Sequence, residues 1–296
     1  MIIQANALSK SDKNSILSLK DLKKFKEAND LFSIIIQTQA GSEIKFVGGC
    51  IRKLINKEEI DDIDFAINIT PIELIGILEK NNIKYVKTGF DHGTVTVLIN
   101  NKKFEITSLR KDIKTDGRHT EVEYTKDWLE DASRRDFTIN TIYSDLDGNL
   151  YDPFNGKKDL ENGLIRFIGD PEERIKEDYL RILRYLRFFL SYSNHKHDQE
   201  ILRVLRKNLS GISNLSKDRL FDELKKFIKS KLPSRVTKTL KSLLKKIKYP
   251  LAIRSSSLLE DSQYKPLAGM YSTLMLPNSS KDFKERFNQL SEAIKR

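Results

Sequence analysis

Phe46-Val47-Gly48-Gly49-Cys50-Ile51-Arg52, followed by Asp62-Ile63-Asp64, is the stretch from which the rest of the chain is read. Residues 44–47 are strand-like and run into two glycines, residues 50–56 have helical character, and residues 63–69 make a second strand. Two aspartates at i and i+2 on a strand project from one face, because side chains alternate sides. Carboxylates so placed repel each other unless a cation lies between them, and Mg²⁺, which takes oxygen ligands beside phosphates, suits the position. Such a pair can hold two metals that activate a hydroxyl and neutralise a departing pyrophosphate. Alone, Asp62 and Asp64 read more readily as a solvated strand or turn. Gly48 and Gly49 shift the balance, since a glycine turn that opens a helix lets backbone N–H groups approach a polyphosphate. Arg52, one turn in, can add a bidentate phosphate contact. The bland alternative is an ordinary strand-to-helix turn with Arg52 in solvent.

Outward from this stretch the alternation of elements continues. Residues 21–39 have a helical pattern, and Pro71 opens a helix through Asn81 at a position that tolerates its missing N–H. Strand-like runs follow at 84–87, 94–99 and 103–107, with Asn100-Asn101 as a tight turn. Residues 111–123 are polar and contain Asp116-Gly117, which predicts a mobile loop. Helical and short strand signals resume at Trp128, with a turn at Asp147-Gly148. Residues 171–229 read as purely helical. The lysine-rich stretch 225–248, interrupted by Pro233, reads as a linker, a basic helix, or both. From Tyr249 the residues turn β-type, with two serine runs and three prolines.

Composition narrows the class of partner. The 296 residues carry 53 Lys and Arg against 42 Asp and Glu, a formal charge of +11, which favours a polyanion. A lysine-rich surface that serves only solubility is the alternative. The single cysteine, Cys50, excludes a disulfide scaffold and fits a reducing cytoplasm. No apolar run is long enough to span a membrane, and residues 1–13 lack the apolar core of a signal peptide, so a cytoplasmic protein is expected.

The stretches 48–53 (GGCIRK) and 61–68 (DDIDFAIN) resemble the active-site signature of class II tRNA nucleotidyltransferases and bacterial poly(A) polymerases, in the DNA polymerase β-like superfamily. The resemblance continues in order through 88–97 (TGFDHGTVTV), 104–110 (FEITSLR), 110–119 (RKDIKTDGRH), 134–140 (RRDFTIN), 152–160 (DPFNGKKDL) and 176–188 (KEDYLRILRYLRF), and extends to 212–226. Lys53 stands where many relatives carry an acid. The resemblance implies an α+β fold: a mixed-sheet nucleotidyltransferase head, an all-α neck, and a short atypical C-terminal segment.

It also implies roles. Arg134, Arg135, Asp136 and Asn140 carry groups suited to triphosphate and ribose hydroxyls, and the family uses this box for the ribose; a surface salt-bridge cluster is the plain reading. Glu177 and Arg181 read plainly as an i,i+4 ion pair on a helical face shared with Arg184. The resemblance implies that Asp178 and Arg181 read the edge of the incoming base while Glu177 holds Arg181. Glu105 is either a third carboxylate near the metals or a solvated strand residue. His92 and Gly93 match the pattern without a catalytic task. Residues 111–123 resemble the flexible loop that switches the family between adding C and adding A.

From Tyr249 the sequence instead resembles the start of the ATP- and pyruvate-binding domain of phosphoenolpyruvate synthase and pyruvate phosphate dikinase proteins, through Arg254-Ser255-Ser256 and Leu267-Ala268-Gly269. A fused fragment is the expectation, with a divergent C-terminal domain as the alternative. The expected division is head 1–168, neck 169–230, basic linker 231–248 and dikinase-like fragment 249–296. The expected function is Mg²⁺-dependent CCA addition to tRNA from CTP and ATP. Poly(A) or A-only addition is the rival within the class, and a non-catalytic RNA-binding protein is the rival outside it.

Overall fold

Four phenylalanines from four separate elements build the centre of the head. Phe46 lies 4.9 Å from Phe65 between ring centroids, with Phe32 at 5.3 Å from Phe46 and Phe104 at 5.7 Å from Phe65. All four are buried, and each contributes about 1.5–3 kcal/mol by leaving water. The computed structural model describes residues 19–60, 62–100, 102–115, 120–229, 234–254 and 273–295. Two compact units emerge: one up to Tyr185 together with His195–Leu215, the other Leu186–Asn194 together with the chain from Ser216.

In the first unit the order is α1 (Lys26–Thr38), β1 (Ile44–Val47), α2 (Gly49–Ile55), β2 (Asp64–Ile67), α3 (Pro71–Lys80), β3 (Lys84–Val86), β4 (Thr94–Ile99), β5 (Lys102–Ser108), β6 (Arg110–Thr115), β7 (Thr120–Tyr124), α4 (Trp128–Ser133), β8 (Tyr143–Ser144), β9 (Leu150–Tyr151), α5 (Gly156–Glu161) and α6 (Pro171–Glu177). Helix α7 (Leu180–Tyr192) begins in the first unit and ends in the second, and α8 (Gln199–Asn208) belongs to the first. Seven strands form one mixed sheet in the order β3-β4-β5-β2-β1-β8-β9. Its one parallel pair is β2 with β5, whose register sets Asp64 beside Glu105. Antiparallel β1 sets Val47 against Asp64 on the other side. The fold is α+β, as expected. Thr70 caps α3 by accepting from the Glu73 N–H while Glu73 reaches back to the Thr70 N–H, with Pro71 in the first turn.

Two expectations are corrected. Residues 111–123 are not an irregular loop: β6 and β7 form an antiparallel ribbon, with a register shift between Asp112 and Lys114. Lys111 and Glu123 face each other across it and bond at 3.0 Å. A ribbon held by charged cross-strand pairs has the composition of a loop. Its tip, 116–119, lies outside the described residues. The second correction concerns 176–188, which is not one helix. Asp178 is extended, at φ −153° and ψ 104°, and ends α6. Its carboxylate accepts the Leu180 N–H at 3.1 Å and so caps α7, the habit of an aspartate at a helix start.

The second unit holds α9 (Lys217–Lys229), α10 (Ser234–Lys246), β10 (Leu251–Arg254), β11 (Thr273–Leu276) and α11 (Phe283–Lys295). Most of the stretch expected as a basic linker is thus helical. β10 and β11 pair antiparallel, and α10 packs on α11. Buried Arg286 donates to the Ile247 carbonyl and to Asn278 Oδ1, both at 3.2 Å, which ties the last helix to the end of α10. The motif at 255–256 and that at 267–269 lie outside the described residues.

Candidate active site

β1 delivers the chain to Gly48, whose φ of 72° and ψ of −122° only glycine adopts without strain. An added Cβ at Gly48 or Gly49 would meet nothing within 4 Å, so this backbone borders open space. Arg52 follows in α2, is 7% exposed, and donates from Nη1 to Asn140 Oδ1.

Asp64 opens β2 and exposed Asp62 stands two residues ahead of it. Burial, then Glu105 and Asp62 as like charges, pushes Asp64 up to about 6 despite Arg135 and Arg52 nearby. A carboxylate so disfavoured in its charged form is one that a cation would relieve. The donor set fits Mg²⁺: hard carboxylate oxygens from Asp62 and Asp64, with further positions left for phosphate and water. Among the described residues no three His, Cys, Asp or Glu side chains gather closely enough to hold a metal on their own. Glu105, exposed on β5, lies in register with Asp64 across the parallel pair.

Arg134 and Arg135 are held by a residue that the sequence reading missed. Asp131, on α4 and 1% exposed, receives Arg134 on Oδ1 at 3.0 and 2.6 Å and Arg135 on Oδ2 at 3.1 and 2.9 Å. The Tyr143 hydroxyl donates to the same Oδ2 at 2.7 Å. Burial opposes the charge, but Arg135 and Arg134 outweigh it and hold Asp131 well below the usual carboxylate range. Both arginines thus form ion pairs, half-buried themselves, on one fully buried carboxylate. Arg110 was also missed, although it ends the 104–110 motif. Burial and then Arg134 push it down to about 10, a local excess of positive charge.

The remaining residues form one connected line. Arg184 Nε donates to Asp136 Oδ2 at 2.6 Å, and Asn140 Nδ2 donates to Asp136 Oδ1 at 2.7 Å. Asn140 Oδ1 in turn accepts from Arg52. Burial works against Asp136, yet Arg184 and Asn140 lower it to about 2. This line runs from α7 through the 134–140 box to α2. Arg174, a third omission, donates to Glu177 and also to the Arg134 and Arg135 carbonyl oxygens. Arg181 Nη1 donates to Glu177 Oε2 and to the Arg174 carbonyl, both at 2.7 Å. The Glu177–Arg181 pair thus forms across the break between α6 and α7. Gly93 has a structural task, because a Cβ there would come to 2.9 Å from the Tyr124 ring. The His92 carbonyl accepts from Arg110.

Residues 44–166 match the Poly A polymerase head domain, and residues 189–295 match the pyruvate phosphate dikinase AMP/ATP-binding domain. The second match begins well before Tyr249. The chain is 44% identical over 189 residues to the human mitochondrial CCA tRNA nucleotidyltransferase 1, covering 63% of this chain and 44% of that one. It is 41% identical over 190 residues to the CCA-adding enzyme of Staphylococcus epidermidis, covering 64% and 46%. This chain therefore spans less than half the length of either relative. The Bacillus stearothermophilus CCA-adding enzyme crystallised with CTP superposes with a TM-score of 0.62 at 29% identity, covering 75% of this chain and 52% of that one. A tRNA nucleotidyltransferase complexed with a primer tRNA and an incoming ATP analog gives 0.55 at 28%, covering 72% and 59%.

Proposed function

We propose that this chain, whose residues 44–166 match the Poly A polymerase head domain, is a class II tRNA nucleotidyltransferase that adds C and A from CTP and ATP to tRNA 3′ ends. The observation that carries this reading is Asp64, raised to about 6 between Glu105 and Asp62, one strand away from an open glycine turn. A carboxylate site that calls for a cation, set beside backbone with room for phosphates, suits nucleotidyl transfer.

In this reading Asp62 and Asp64 would hold Mg²⁺, which when bound would supply neutralisation of the triphosphate charge and acidification of the 3′-hydroxyl. Gly48 and Gly49 let the backbone N–H groups close on the triphosphate, and Arg52 adds a positive charge. Arg134 and Arg135, immobilised on Asp131, supply positive field without moving. Asp136 and Asn140 keep the ribose side in place by fixing Arg52 and Arg184. Asp178 and Arg181 present an acceptor and a donor to the base, and Glu177 with Arg174 prevents Arg181 from following the wrong one. A site with fixed polar groups rejects a base that leaves them unpaired. We infer a cytoplasmic location from the lone Cys50, which fits a reducing compartment. No helix among the described residues is long and apolar enough to cross a membrane.

The test offers labelled CTP and ATP with a tRNA lacking its terminal CCA. Incorporation of C followed by A is expected, and Mg²⁺ chelation should stop it. ATP incorporation alone assigns the chain to A-only or poly(A) addition. No incorporation of either nucleotide, with RNA still bound, makes it a binding protein and overturns the proposal.

A further inference from the structure

Helix α10 lacks what balances other helices of the chain. In α6, α8 and α9 cations bond acids of their own helix: Lys176 to Glu172 at 2.7 Å, Arg203 to Glu200 at 2.9 Å, Lys225 to Asp222 at 3.4 Å. Residues 234–248 contain Arg235, Lys238, Lys241, Lys245, Lys246 and Lys248 and no aspartate or glutamate. Lys238, Lys241 and Lys245, at i, i+3 and i+7, form one stripe along the helix. Lys246 flanks it and Lys248 follows the helix end, and all five lysines are exposed. Lys241 lies 5.0 Å from the Phe287 ring centroid. Among the described residues, Lys238, Lys245, Lys246 and Lys248 form no ion pair.

Like charges three and four residues apart destabilise a helix, so this stripe is tolerated at a cost that a polyanion would remove. From Lys238 to Lys245 is about 10 Å along the axis, which spans about three phosphates of a nucleic acid strand. A membrane surface fits less well. An interfacial helix must insert its apolar face, whereas α10 packs on α11 and buries Leu244 completely.

We propose that the lysine stripe of α10 is an RNA-backbone-binding surface, through which the unit matching the dikinase family contributes grip on the tRNA. The proposal rests on the nucleotidyltransferase reading for the identity of the RNA, not for the surface itself.

The experiment compares the full chain with a variant carrying Lys238→Gln, Lys245→Gln, Lys246→Gln and Lys248→Gln, and with the matching Lys→Arg variant. Binding to tRNA lacking CCA is titrated at 50 and 200 mM salt, beside incorporation against tRNA concentration. Four lost phosphate contacts should make the wild-type advantage shrink by about 50- to 150-fold between the two salts. The Arg variant should bind as wild type, and incorporation by the Gln variant should recover at saturating tRNA. An unchanged affinity and salt slope in a folded Gln variant that still incorporates nucleotide overturns the surface and leaves the enzyme reading standing. Stripe-dependent RNA binding without incorporation by the wild type supports the surface and sinks the enzyme reading. Stripe-dependent binding only to phosphatidylserine-containing vesicles overturns the proposal.

Discussion

Asp64→Asn should abolish transfer and, without Mg²⁺, make the protein more stable. Asp64 is raised from 3.8 to about 6 by burial and by Glu105 and Asp62. A carboxyl whose folded value lies above its unfolded one destabilises the fold in its ionised form. The cost is absent below the unfolded value of 3.8, grows as pH rises, and is complete above about 6. At about 1.36 kcal/mol per tenfold change in proton affinity the ceiling is about 3 kcal/mol. Asp64 is only partly buried, so solvent screening lowers the expectation to about 1–2 kcal/mol. The amide keeps the shape and removes the charge. The assay is denaturant unfolding in a chelator, followed by the single tryptophan, Trp128, which lies 5.2 Å from the Tyr143 ring in the head. The variant should gain nothing at pH 3.5 and about 1–2 kcal/mol at pH 7.5. Added Mg²⁺ should then stabilise wild type and not the variant. A variant no more stable than wild type at pH 7.5, or a gap independent of pH, would refute the view that this carboxylate is held in repulsion for a cation.

Asp136→Asn acts in the opposite sense. Because the folded value is depressed to about 2, the substitution should cost about 2 kcal/mol near neutrality. The cost should disappear as pH falls from about 4 towards 2, measured by the same unfolding curves. Arg181→Lys retains the charge but loses the planar fork between Glu177 and the base. Discrimination of CTP and ATP against UTP should fall by about tenfold or more, as read from kcat/KM ratios, while overall incorporation of the correct nucleotide falls less. Gly48→Ala forces a side chain to φ 72° and should cost about 1–2 kcal/mol; nucleotide binding should weaken with it, measured by CTP titration.

Local chemistry made part of this protein legible without coordinates. A glycine pair after an apolar run marks a strand-to-helix turn whatever surrounds it, and the turn at Gly48 forms there because only glycine takes that φ freely. Pro71 begins α3 for the same short-range reason. The i, i+2 spacing of Asp62 and Asp64 marked them as candidates, and the family signature added Asp178 and Arg181. What lies between distant residues could not be read this way. Glu105 meets Asp64 because β2 and β5 run parallel, a pairing that packing of Phe65 and Phe104 sets and no local pattern encodes. Arg134 and Arg135 read as part of a surface salt-bridge cluster, but only the fold names their shared partner, Asp131, buried on α4. The turn of periodicity at 176–188 reads as one helix, yet Asp178 prefers to cap the next one, and the Glu177–Arg181 pair forms across the resulting break. The line from Arg184 through Asp136 and Asn140 to Arg52 bonds residues up to 88 positions apart, which only the folded chain brings within reach of one another.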